Sequence, residues 1–169
     1  MALTQLEPYM VDTTAAFQFA NLTGTLTTGA QPNITSLGTL TSLTVSGTVS
    51  YGLSSDVLST KTGATGVVTH DLSADSSVFY HTSPAANFTA NFTNVPTTNN
   101  RVITVSLIIV QGATAYLPTA VQIGGVAQTI KWIGAASPIG SSSSIDVVSF
   151  TLIRTSSTWI VFGQQAYYG

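Results

Sequence analysis

The stretch RVITVSLIIVQ, residues 101–111, decides the fold. Ile103, Val105, Leu107 and Ile109 are aliphatic at every second position, while Val102, Thr104, Ser106, Ile108 and Val110 between them are mixed. Successive side chains of a strand point to opposite faces, so the pattern is one strand with an unbroken inner face. Its second, partly apolar face makes it a central strand, open on that side to a second sheet or a second subunit.

The same period continues on either side. In NFTANFTN, residues 87–94, Phe88, Ala90 and Phe92 fall on one face, and Asn87, Thr89, Asn91 and Thr93 on a wet one. Val148, Phe150 and Leu152 repeat the alternation around SFTLI, as do Ile130 and Trp132 in TIKW. Between these runs lie VPTTNN, GATAYLP, GGVAQ, SPIGSSSS and RTSST, rich in the Gly, Pro, Asn and Ser that end strands. The reading is all-β: about eight strands in an antiparallel, jelly-roll-like β-sandwich head over residues 67–169.

The 169-residue chain has apolar residues at 44% but charged ones at only 6%, against roughly a quarter in ordinary soluble domains. High hydropathy with so little charge suits a subunit whose surface is covered by other subunits. The net charge is -2, and Lys61, Arg101, Lys131 and Arg154 are scattered, so no nucleic-acid footprint exists. Without cysteine there is no disulfide framework, thiolate metal site or cysteine nucleophile. The longest apolar run, LIIV at 107–110, is far too short to cross a bilayer, and the N-terminus lacks the basic and apolar regions of a signal peptide. Synthesis in a cytoplasm and no membrane insertion are expected.

Residues 1–22 form an N-terminal segment readable as helix or strand. Residues 23–66 are Thr, Ser and Gly punctuated by single aliphatics, with no charge between Asp12 and Asp56. Within them, NITSLGTLTSLTVSG (33–47) places Ile34, Leu37, Leu40 and Leu43 at every third position. That period fits neither a straight strand nor a helix, and Gly38, Gly47 and the many Thr oppose a helix. So thin a segment cannot cover its own aliphatic row. Copies packed about a symmetry axis would, with Ile34, Leu37, Leu40, Leu43 and Val45 in a shared core. The expectation is a short trimeric β stalk, against the plain alternative of a Ser/Thr/Gly linker.

The residues AQPNITSLGTLTSLTVSG (30–47) resemble a segment that recurs in fibre and appendage proteins of tailed bacteriophages, above all marine phages infecting cyanobacteria. TTNNRVITVSLIIVQGATAYLPTAVQIGGVAQTIKW (97–132) and IDVVSFTLIRTSSTWIVFGQ (145–164) are similar to the C-terminal domain of many virion structural proteins of the same phages. The resemblance implies a homotrimeric tail-fibre-like virion component, docked by its N-terminal segment to another protein of tail, neck or capsid and bearing a distal β-sandwich for host attachment. A capsid decoration (cement) protein and a carbohydrate-binding adhesin are the alternatives.

Little in the chain promises catalysis. There is no GxSxG elbow, no phosphate-binding loop with its lysine, and a single glutamate, Glu7, beside five scattered aspartates where a glycosidase needs a facing carboxylate pair. The reading is a non-enzyme with no catalytic residue, cofactor or resident metal. His70, Asp71, Asp75 and His81 are the one dense polar cluster. His70 and Asp71, being adjacent, face opposite ways on a strand, so surface or subunit-contact polar groups are expected, with an ion on a threefold axis as the question they pose. For host or glycan contact the candidates are Tyr116, Trp132, Tyr167 and Tyr168, whose rings can stack on sugars, although Trp132 shares the core phase of Ile130. The Asn-X-Thr sequons at Asn21, Asn33, Asn87 and Asn91 are expected to be unmodified.

Overall fold

In the computed structural model the described residues are 45–50, 52, 55–73 and 76–169. The chain divides into two units, Met1–Ser50 and Tyr51–Gly169. In the first, residues 45–50 are exposed and without regular structure. The segment 1–22 and the axial candidates Ile34, Leu37, Leu40 and Leu43 lie outside the described residues; Val45, the fifth, is 44% exposed.

Among its described residues the second unit holds ten strands: β1 (Leu58–Thr62), β2 (Gly66–Asp71), β3 (Val78–Thr82), β4 (Phe88–Thr93), β5 (Arg101–Val110), β6 (Pro118–Ile123), β7 (Val126–Gln128), β8 (Ile130–Trp132), β9 (Ile145–Thr155) and β10 (Thr158–Tyr168). A short 3-10 turn, Ile133–Ala135, follows β8. The strands form a six-stranded sheet A, ordered β1-β3-β5-β9-β10-β8, and a four-stranded sheet B, ordered β2-β4-β6-β7. β1 belongs to sheet A although it precedes residue 67, where the sequence reading opens the head.

Alternation places the core as expected. Val105, Leu107 and Ile109 of β5, Val148, Phe150 and Leu152 of β9, and Phe88, Ala90 and Phe92 of β4 are all buried between the sheets. Phe79, Val121 and Val161 complete the layer. Burying each of the Val, Leu, Ile and Phe side chains among them contributes roughly 1.5–3 kcal/mol, which makes this layer the main source of cohesion.

Strand direction departs from the antiparallel jelly roll. Five of the eight pairings are parallel (β1/β3, β3/β5, β2/β4, β4/β6 and β8/β10) and three antiparallel (β5/β9, β9/β10 and β6/β7). From β1 to β6 the chain crosses to the opposite sheet after every strand, so strands two apart in sequence run side by side in the same direction. The result is a two-sheeted coil. Parallel and antiparallel strands share the two-residue period, so alternation alone does not distinguish them. The crossings are built from local chemistry: Gly63 and Gly66 take φ of +66° and +61° around β1–β2, and the buried Ala64 between them accepts backbone hydrogen bonds from Ala85 and Ala86.

Two hairpins complete the unit. β6 and β7 turn through Gly124 and Gly125, with φ of +58° and +81°. β9 and β10 turn through Ser156 and Ser157, which hold φ of +47° and +60° without glycine's freedom. Both are two-residue connections of the kind that matches strand twist. The second is pinned where the Ser157 amide donates to Asn99 Oδ1 at 2.9 Å.

Candidate functional site

Two features stand out once the core is placed: an outer sheet face and a polar inner end. On the outer face of sheet A the strand registers line up side chains in rows. One row runs Leu58, Val78, Ser106, Ser149, Gln164; the next runs Thr60, Tyr80, Ile108, Val147, Ala166. The flanking rows are Thr62, Thr82, Val110, Ile145, Tyr168 on one side and Thr104, Thr151, Phe162 on the other, with Val102, Ile153 and Ile160 beyond. No side chain in these rows is charged; Lys131, in register with Phe162 on β8, is the cation at the rim. Sheet B differs, since Asp71, Thr89, Asn91, Thr93 and Gln122 leave its outer side polar.

Two furrows cross the β9–β10 side of the outer face. One, about 340 Å³, is lined by Lys131, Trp132, Ile133, Thr151 and Phe162 among others; the second, about 290 Å³, by Val147, Ala166 and Tyr168. They share Ile133, Ser149 and Gln164 and so form one continuous depression.

The four candidate contact aromatics are not gathered at one place. Trp132 and Tyr168 line neighbouring furrows, but the Trp132 ring packs on Phe150 at 5.7 Å and so closely over Gly163 that a Cβ there would lie 2.6 Å from it. It serves the core. Tyr167, 68% exposed, is the alternate neighbour of Tyr168 and points to the other side of β10. Tyr116 is half-buried in the loop after β5, where its amide donates to Gln111 Oε1 at 3.0 Å. Phe162, 44% exposed in the furrow, is an aromatic that the sequence reading passed over.

The histidines are corrected from surface groups to core groups. His70 on β2 and His81 on β3 are both fully buried, and their Nε2 atoms lie 2.9 Å apart, one ring donating and the other accepting across the gap between the sheets. Phe79 meets His70 edge-on at 4.8 Å, and Phe88 stacks on His81 at 5.2 Å. Neither Nδ1 has a protein partner. Burial first, then His81 and the Lys61 cation, push His70 down to about 3 from the usual 6.5; burial and then Lys61 push His81 down to about 4. Lying inside one chain, the pair cannot line an axis between chains. Asp71 does point outward, held below the usual carboxylate range by hydrogen bonds from Asn94 and Ser73. Asp75 lies outside the described residues, and among the described residues no group of three or more His, Asp or Glu gathers as a metal site.

The second buried polar centre is Asp146, fully enclosed at the start of β9. It accepts from Gln111 Nε2 at 2.8 Å, Gln165 Nε2 at 2.6 Å and the Ser141 amide at 3.0 Å. Gln111 in turn holds both the amide and the carbonyl of Tyr116. One carboxylate thereby ties the ends of β5, β9 and β10 to two loops. Its place in phase with Val148 and Phe150 is the signal that sequence reasoning missed. In comparisons with known proteins, no family model, curated protein or solved structure matches this chain.

Proposed function

We propose that this chain is a structural subunit of a bacteriophage virion, a short homotrimeric fibre or spike that docks through residues 1–22 to another virion protein and displays the two-sheet unit outward, where it meets the host. The supporting observation is the parallel winding of β1 through β6. In such a coil each circuit adds a strand to the edge of both sheets, so the unit grows in one direction, and here it opens directly after the charge-free stretch rich in Thr, Ser and Gly. The role is mechanical: stalk residues Ile34, Leu37, Leu40, Leu43 and Val45 share a core about the threefold axis, and no catalytic group or cofactor is assigned. Light scattering on a sizing column tests this, with an expected mass of three times 17.5 kDa for the full chain. Replacing Leu37, Leu40 and Leu43 together by Ser should lower that mass; a single-chain mass for the unaltered protein refutes the fibre and favours the capsid decoration protein.

A second reading, a carbohydrate-binding head, draws on the furrow with Phe162, Tyr168 and the hydrogen-bonding Gln164 and Ser149. Binding of the full chain on a glycan array, lost in Phe162→Ala, would favour it.

A further inference from the structure

We infer that the outer face of sheet A is where neighbouring copies of this chain pack against one another, an inference that rests on the self-assembling reading above and locates an interface in the head in addition to the stalk. Three observations carry it. First, the face lacks charge across five strands while still exposing large apolar side chains, with Leu58 at 55%, Val102 at 62% and Phe162 at 44%. Copies that turn the same face toward a common axis avoid like-charge repulsion only when that face is neutral or carries both signs; across β1, β3, β5, β9 and β10 this one is neutral, with the Lys131 cation on β8 at its edge. Second, the size is right. With strands rising about 3.3 Å per residue and spaced about 4.8 Å apart, the five strands of sheet A whose outer rows are uncharged cover about 670 Å². Stable protein interfaces of standard size take about 600–1,000 Å² from each partner, so this face falls within that range without help from sheet B. Third, composition separates the two sides of the same sandwich: sheet B turns Asp71, Asn91 and Gln122 to solvent beside the aliphatic Val67, and sheet A turns Tyr80, Ile108 and Val147 outward. The continuous furrow along β9 and β10 gives a neighbour's aliphatic side chains a place to interlock. Once covered, it is closed to glycans, so the interface and the adhesin reading compete for the same surface.

The absence of cysteine makes the test direct. Two full-length variants, Val102→Cys on sheet A and Val67→Cys on sheet B, start from nearly equal exposure, 62% and 57%. Each is alkylated with N-ethylmaleimide while its mass is followed by light scattering. The expected result is a multi-chain species in which the cysteine at 102 reacts about tenfold more slowly than that at 67, as when the open form is a tenth of the population or less. A multi-chain species in which both react equally fast overturns the head interface and leaves stalk-driven assembly standing. A single-chain mass overturns both. As a further check, Ile108→Glu, at the centre of the face, should restore fast alkylation at 102 with an unchanged circular-dichroism spectrum; continued protection in that variant refutes the placement.

Discussion

Acid should unfold this protein through His70 and His81. Both imidazoles are held below their ordinary value, so the folded chain binds fewer protons than the unfolded chain once the pH drops below about 6.5. The sign follows: the pair's contribution to stability is complete above that pH and is lost progressively as the pH falls toward the folded values of about 3 and about 4. At pH 5 each unfolded histidine is almost fully protonated and each folded one almost bare. That gap of about 1.5 pH units corresponds to about 2 kcal/mol per ring, or about 4 kcal/mol for the pair. Such a loss is a large part of an ordinary domain's stability. Asp71, held below the usual 3.8 by the hydrogen bonds from Asn94 and Ser73, titrates below this window. Urea unfolding followed by the fluorescence of Trp132 and Trp159 at a series of pH values between 7.5 and 5 measures the effect. A midpoint that stays level over that range, or an equal decline in the double variant His70→Leu/His81→Leu, would refute the argument.

Single and double histidine changes should separate clearly. His81→Leu alone strips the partner from a buried Nε2 and should cost about 1–3 kcal/mol in denaturant unfolding, much of which the double Leu variant recovers. Asp146→Ala leaves the Gln111, Gln165 and Ser141 donors unpaired, with an expected loss of about 2–4 kcal/mol and faster amide exchange in the loops around 112–116 and 139–144. Ser157→Gly relieves a left-handed backbone at the β9–β10 turn and should raise stability by about 1 kcal/mol, seen as a higher melting temperature. Phe150→Ala, in a fully buried site between Phe92 and Trp132, should cost about 3–5 kcal/mol.

The sequence made the strands and their inner faces legible because alternation is a local property. Val105, Leu107, Ile109, Phe150 and Leu152 are buried for the reason the pattern suggests. Pairing direction is not local: whether β3 runs with or against β5 depends on where the intervening chain crosses, and the residues of β3 and β5 carry no mark of it. The buried polar groups were legible in principle. His81 shares the phase of Phe79, and Asp146 that of Val148, so an inward position was already implied for both. What the sequence hides is the partner, since His70 and His81 meet only because β2 and β3 face each other from opposite sheets. The same limit applies to the uncharged face, whose residues are spread over five strands between Leu58 and Tyr168 and become one surface only through register.

The winding of β1 through β6 also makes this unit a ruler with fixed graduations. A circuit takes two strands, and each adds one strand spacing, about 4.8 Å, along the coil. Inserting a single strand would send every strand before or after it to the wrong sheet and turn the buried rows outward. Inserting a pair preserves every inside and outside and moves β1 one graduation farther from the β9–β10 hairpin. Reach can therefore be lengthened or shortened in whole steps while the polar clasp around Asp146 and the outer rows of β5, β9 and β10 stay as they are.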